Sequence, residues 1–167
     1  HRRHAFSASG AAALSGHGPT RLPLARRGEW GYSGAKPQTK KARMSIHLYQ
    51  NDLPDGLDLG PVVAIDTETM GLDPRRDRLC LVQLSSGDGS AHLVQIAKGQ
   101  RAAPNLTRML ADPGVLKLFH FGRFDIAALE QAFGVVTKPV WCTKIASKMV
   151  RTFTDRHGLK YLLTELV

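Results

Sequence analysis

Two carboxylates separated by one residue, Asp66 and Glu68, close an apolar run, Val62-Val63-Ala64-Ile65. On an extended backbone side chains alternate, so both acids leave on one side of the chain while Thr67 leaves on the other. Two carboxylates aimed at one point repel unless a cation lies between them. An all-oxygen donor set suits Mg²⁺ or Mn²⁺ rather than zinc, which favours His and Cys. A plainer reading competes, because Asp is common in turns and at helix starts, and Gly71-Leu72-Asp73-Pro74 is a turn signal compatible with both.

A third carboxylate favours the metal reading. The stretch Leu116-Lys117-Leu118-Phe119-His120-Phe121-Gly122-Arg123-Phe124-Asp125 reads as a strand, a Gly-containing turn and a helix start. Ala128, Leu129 and Ala132 follow Asp125 at i+3, i+4 and i+7, the apolar face that packs on a sheet, so the carboxylate faces inward. By itself Asp125 could equally serve the free amides and dipole of a helix N-terminus. With Asp66 and Glu68 it forms a candidate metal triad.

The elements that must position these acids follow from periodicity and punctuation. The unbroken apolar run at 62–65 predicts a central strand covered on both faces. The expected order is strand 62–66, strand 78–85, strand 91–96, helix 102–111, strand 115–120, helix 123–134, helix 142–152 and helix 157–166. Gly87-Asp88-Gly89 is a hairpin signal between the second and third strands, and the later alternation suits crossovers covering a mixed sheet, an α/β architecture.

The motif Ala64-Ile65-Asp66-Thr67-Glu68-Thr69-Met70-Gly71-Leu72, followed downstream by His120-Phe121-Gly122-Arg123-Phe124-Asp125-Ile126-Ala127-Ala128-Leu129, resembles the first and second exonuclease motifs of the DEDD superfamily, and within it the ribonuclease D family. Trp141–Ser147 and Asp155–Leu163 also resemble the segment that leads toward that family's third motif. The resemblance covers the chain from about Met44 onward and implies a ribonuclease H-like 3′–5′ exonuclease fold. It further implies hydrolysis of RNA 3′ ends, transfer RNA precursors among them, by two Mg²⁺ or Mn²⁺ ions about 4 Å apart. On that basis Asp66 would bridge both ions, Glu68 would hold the nucleophile-side ion and Asp125 would support the other. Thr67, Met70, Gly71, Leu72, His120 and Phe124 would border the terminal nucleotide.

Cations near the motifs are candidates for phosphate contact without base reading: Arg123 beside Asp125, and Arg75, Arg76 and Arg78 after the first motif. Lys144, Lys148 and Arg151 form a basic stripe expected to be a solvated helix face.

The family's Tyr-x-x-x-Asp motif has no counterpart. Tyr161 is followed at the fourth position by Glu165, inside an apolar helical pattern that runs to Val167 without a cap, Gly or Pro. The chain is therefore expected to be C-terminally incomplete and its activity weak or absent. Two rivals remain: a DNA-directed exonuclease of the same superfamily, since only 2′-hydroxyl contacts distinguish RNA, and a non-catalytic nucleic-acid-binding module.

Charge divides the chain. Residues 1–43 hold nine Lys or Arg against one acid, Glu29, leaving 23 − 9 = 14 basic and 14 − 1 = 13 acidic residues in 44–167. The basic segment lacks apolar period and is expected to be a disordered tail, either upstream translation, a targeting leader or an RNA-binding arm. Residues 44–167 suffice for one domain. No apolar run reaches the eighteen or more residues that span a bilayer. Cys80 and Cys142 lack Cys-x-x-Cys spacing and are expected as buried, reduced thiols of a cytoplasmic protein.

Overall fold

A computed structural model describes residues 44–167 apart from Pro74. The expected disordered tail, 1–43, lies outside the described residues. Six strands and four helices follow one another as β1 (Ser45–Gln50), β2 (Val62–Thr69), β3 (Leu79–Ser85), β4 (Ser90–Gln95), α1 (Pro104–Ala111), β5 (Leu116–Phe119), α2 (Arg123–Phe133), β6 (Val140–Cys142), α3 (Thr143–Val150) and α4 (Leu159–Leu166).

The strands form one mixed sheet in the order β1-β4-β3-β2-β5-β6. β3 runs antiparallel to both β2 and β4, joined to β4 by the Gly87-Asp88-Gly89 turn in which both glycines take positive φ. The remaining pairs are parallel, with β5 beside β2 on the side away from β3. Two strands escape sequence periodicity. β1 is nearly all exposed, and β6 is only three residues long.

β2 departs from the expectation of a strand covered on both faces. Val63, Ile65 and Thr67 are buried, while Val62, Ala64, Asp66 and Glu68 are exposed. The buried set joins Val82, Leu84, Val94, Leu106, Leu110, Phe119, Ala128 and Leu129 in one core. Each fully buried aliphatic side chain there contributes about 1.5–3 kcal/mol by leaving water. The opposite face also leaves Ile46 and Leu48 exposed, so the apolar run at 62–65 serves one layer of packing rather than two.

The strand is also longer than the apolar run implies, because pairing with β3 carries it past Asp66 to Thr69. Near its end Glu68 pairs with Leu81 and Thr69 with Leu79, leaving Cys80 as the extra residue of a β-bulge. Such a bulge twists the strand end and re-aims its side chains.

Long-range polar contacts fasten the connections. α1 lacks a capping side chain of its own, and Asp52 supplies one, accepting the Asn105 and Leu106 amides at 2.9 and 2.8 Å. Lys117 is fully buried in β5, and its Nζ donates to the carbonyls of Asp112 and Lys138 at 2.6 and 2.7 Å. Burial pushes this ammonium below its ordinary pKa, opposed by Asp112. The pair of bonds holds the turn before β5 against the segment leading into β6.

Of the expected basic stripe on α3, Lys148 is exposed and Lys144 half-buried, and only Arg151 departs from it. Ser147 and Arg151 at its end are buried, whereas Ile145, Met149 and Val150 are exposed. Arg151 forms an ion pair with Glu165 of α4 and donates to the Arg156 carbonyl, so its charge is spent inside the α3–α4 corner. Ser147 and His157 complete that corner with a 2.9 Å hydrogen bond. Both cysteines are free and half-buried rather than buried.

Candidate active site

β2 and α2 deliver the acids from two layers. The exposed face of β2 presents Asp66 and Glu68, and the opposite face presents Thr67 toward α2. There Thr67 donates twice to one oxygen of Asp125, through its amide at 3.1 Å and its hydroxyl at 2.7 Å. Asp125 is 7% exposed, with Ala128 and Leu129 buried on the same helical face, as the spacing predicts.

α2 starts where it does because Gly122 is its N-cap. A Cβ there would fall 2.6 Å from Phe119 Cγ, so only glycine lets β5 turn so tightly into the helix. The helix ends at Gly134, whose left-handed conformation returns its amide to the Glu130 carbonyl at 2.7 Å.

Asp66, Glu68 and Asp125 line one cavity of about 380 Å³ together with Thr67, Thr69, Met70, Gly71, Leu72, His120, Phe121 and Phe124. The loop after β2 forms one wall, with Met70 and Leu72 largely exposed. Gly71 has no room for a side chain, since a Cβ would meet the Asp77 carboxyl carbon at 2.7 Å. That carboxylate is fixed by the Asp73 amide at 3.0 Å and by the Arg76 guanidinium at 2.8 Å. These partners, Arg76 first, hold Asp77 down to a pKa of about 2.

Electrostatics at the centre are unfavourable to charge. Although Asp66 is exposed to the cavity, partial desolvation by its surroundings raises its pKa above the ordinary 3.8, and the neighbouring charges of Asp125 and Glu68 push it the same way, against the Thr67 amide and His120. His120 is lowered, chiefly by burial and then by Lys144, with Asp66 opposing. Its Nδ1 lies 2.9 Å from the Thr143 hydroxyl at the start of α3.

Three carboxylates around an open cavity, with Asp66 raised by the other two, fit a divalent cation in donor chemistry. Among the described residues, however, no three His, Cys, Asp or Glu side chains converge closely enough to ligate one ion directly. Asp66 and Glu68 are the pair free to hold a metal. Asp125, one oxygen already taken by Thr67, would act through water.

Phe121 is the residue that sequence reading passes over. It holds φ +66°, a left-handed conformation costing a bulky L residue roughly 1–2 kcal/mol. Its amide donates to Cys142 Sγ at 3.2 Å, and the Lys144 ammonium lies 4.0 Å from its ring centroid. Burial would raise the Cys142 thiol, yet the amides of Ile145, Gly122, Phe121 and Lys144 together carry it below its usual pKa. A positive φ cannot be read from composition, and Gly122 is the one nearby signal of an unusual turn.

Other expected contacts fall elsewhere. Arg123 is exposed and does not line the cavity. Arg75, Arg76 and Arg78 border a separate cavity of about 150 Å³ with Arg101, and Arg78 donates to the Ile96 carbonyl at 2.9 Å. Glu165 pairs with Arg151 and is not among the cavity residues.

A mixed sheet with paired acids at the end of a central strand, joined by a buried Asp on the helix that follows the neighbouring parallel strand β5, defines an α/β fold of the ribonuclease H-like exonuclease type. Residues 50–167 match the 3′-5′ exonuclease family model, and the chain belongs to that family. It is 38% identical over 106 residues to ribonuclease D of Granulibacter bethesdensis, covering 64% of this chain and 26% of that protein. The ribonuclease D of Acidiphilium cryptum is 37% identical over 112 residues, 67% of this chain and 28% of its own length. The chain thus spans about a quarter of those relatives. Among solved structures, Brucella melitensis NrnC bound to pGG superposes with a TM-score of 0.72 at 57% identity, over 74% of this chain and 61% of that one. The same protein with bound Mg²⁺ gives 0.71 at 57% identity, over 74% and 62%.

Proposed function

We propose that this protein is a metal-dependent 3′–5′ exoribonuclease that hydrolyses the terminal phosphodiester of short single-stranded RNA. The observation that carries this reading is the grouping of Asp66, Glu68 and Asp125 around one open cavity at the end of β2. The family membership and the likeness to an NrnC that holds Mg²⁺ in one structure and pGG in another support it. Transfer RNA 3′ ends are the second reading, which the sequence resemblance to the ribonuclease D family implies.

When bound, two divalent ions would supply charge stabilisation for the attacking water and the leaving 3′ oxygen. Asp66 and Glu68 would hold them, and Asp125 would orient a bound water while Thr67 fixes its carboxylate. Met70 and Leu72 offer apolar surface against the terminal nucleotide, and His120 borders it from β5. No fourth acid, from α3 or α4, joins Asp66, Glu68 and Asp125 at the cavity, so turnover by these 167 residues alone would be weak. An RNA hydrolase of this kind would work in the cytoplasm.

The test is trimming of a 5′-labelled RNA dinucleotide, a longer single-stranded RNA, a transfer RNA precursor and a DNA of the same sequence, each with Mg²⁺, Mn²⁺ or EDTA. Metal-dependent shortening of RNA that Asp66→Ala abolishes supports the proposal. Metal-independent activity, or activity retained in Asp66→Ala, overturns it, and preference for DNA overturns the choice of substrate.

A further inference from the structure

Phe121 spends conformational free energy to put an aromatic ring where it is 56% exposed, in the wall of the cavity that Asp66 and Glu68 line. A left-handed position is held at least cost by Gly or Asn, so a phenyl ring there is not explained by the turn itself. Nor is it explained by packing, because the neighbouring Phe119 is 3% exposed and already fills the core beneath the turn. The surroundings hold the backbone rigidly: its amide donates to Cys142 Sγ, and Gly122, next in the chain, leaves no room for a Cβ. Lys144 sets a cation 4.0 Å from the ring centroid, and the ring lines the same cavity as the acids.

We propose that Phe121 is a base-stacking platform, taking on its ring the 3′-terminal nucleobase next to the scissile phosphate, with Lys144 beside the ring. Stacking on an aromatic ring suits any base, because every base has a π-face, and it places the strand without reading sequence. The cation beside the ring strengthens the ring's hold on its side chain position and adds positive charge near a polyanionic strand. Phe121 is a positioning residue, acting on the substrate's base rather than on the reacting atoms. This inference rests on the nuclease reading of the same cavity.

The test is binding, measured by fluorescence anisotropy with a 5′-labelled single-stranded RNA in Mg²⁺, on an Asp66→Asn background that prevents hydrolysis. A second RNA carries an abasic 3′-terminal nucleotide. Phe121→Asn keeps a residue that tolerates the left-handed backbone, and Phe121→Trp keeps a stacking ring. Phe121→Asn is expected to weaken binding of the ordinary RNA about tenfold or more, to leave binding of the abasic RNA unchanged, and to melt no lower than the parent. Phe121→Trp should restore the tight binding. Equal loss on both RNAs, or no loss on either, overturns the stacking role while leaving the nuclease reading intact. A parent protein that binds neither RNA overturns both.

Discussion

Thr67 and Asp125, 58 residues apart in the chain, meet through two hydrogen bonds to a single carboxylate oxygen, from the Thr67 amide at 3.1 Å and its hydroxyl at 2.7 Å. The contact passes through the sheet layer: Thr67 is the residue between the two acids of β2, and it turns away from them toward α2. Removing the hydroxyl while keeping the shape isolates its role. Thr67→Val should lower stability by roughly 1.5–3 kcal/mol, the usual loss for a hydrogen bond to a charged group. Trimming should fall at least tenfold, equivalent to about 1.4 kcal/mol of barrier, because Asp125 loses its orientation. Thr67→Ser should recover most of both. Denaturant melts and trimming rates read the two effects, and full activity in Thr67→Val would show that Asp125 needs no positioning.

Gly122→Ala addresses the turn that aims α2. The added methyl would lie 2.6 Å from Phe119 Cγ, far inside contact distance, and Phe119 is a buried core residue. Overpacking of this kind costs about 1–3 kcal/mol. Asp125 sits in the first turn of the same helix, so the displacement should also reduce metal-dependent trimming more than it reduces stability. Thermal melting beside the trimming rate gives the comparison. An Ala variant that melts like the parent would mean the turn relaxes outward freely.

How much of this was legible in the chain depends on how local the cause is. α2 and its inward Asp125 follow from 3.6-residue spacing within a dozen residues, and the β3–β4 hairpin follows from Gly87-Asp88-Gly89. β2 was legible as a strand but not in its environment, since an apolar run records only that the residues tolerate burial. Which face is covered depends on elements distant in sequence. β1 alternates Ile46 and Leu48 with His47 and Tyr49, but over only six residues, and its apolar side chains remain exposed, so such a short pattern does not mark a strand by itself. Asp52 capping α1, Lys117 bonding two carbonyls and Arg151 pairing with Glu165 are contacts between side chains and distant partners. Residue type gives them away only as charges, and the surface was the natural place to put them.

Glu165→Gln separates a structural acid from a catalytic one. Glu165 stands four residues after Tyr161, where a sequence comparison invites a catalytic role, yet its carboxylate is paired with Arg151 in the α3–α4 corner. Gln keeps an acceptor for the guanidinium and removes the charge. Because Arg151 is buried and Glu165 only partly exposed, Gln should cost about 1–3 kcal/mol, as for a weakened hydrogen bond to a buried charged group. Trimming and its dependence on metal should be unchanged. Loss of activity with unchanged melting would place Glu165 in the catalytic centre instead.

Asp66 gives the site a pH signature that metal should erase. Its pKa in the folded protein lies above the ordinary 3.8, first because of partial desolvation and then because Asp125 and Glu68 repel its charge. A carboxyl whose folded pKa is raised contributes stability below the unfolded pKa, and that contribution is lost as pH rises through the folded value. In EDTA the parent should therefore lose melting temperature relative to Asp66→Asn, which has no charge to develop, as pH climbs upward from about 3.8. Mg²⁺ at neutral pH should raise the melting temperature of the parent by balancing the paired charges, and should do so much less in Asp66→Asn. Thermal melts across pH, with and without Mg²⁺, measure both differences. Parallel curves for the two proteins in EDTA would mean that Asp66 ionises without penalty, and an equal Mg²⁺ response would place the cation elsewhere.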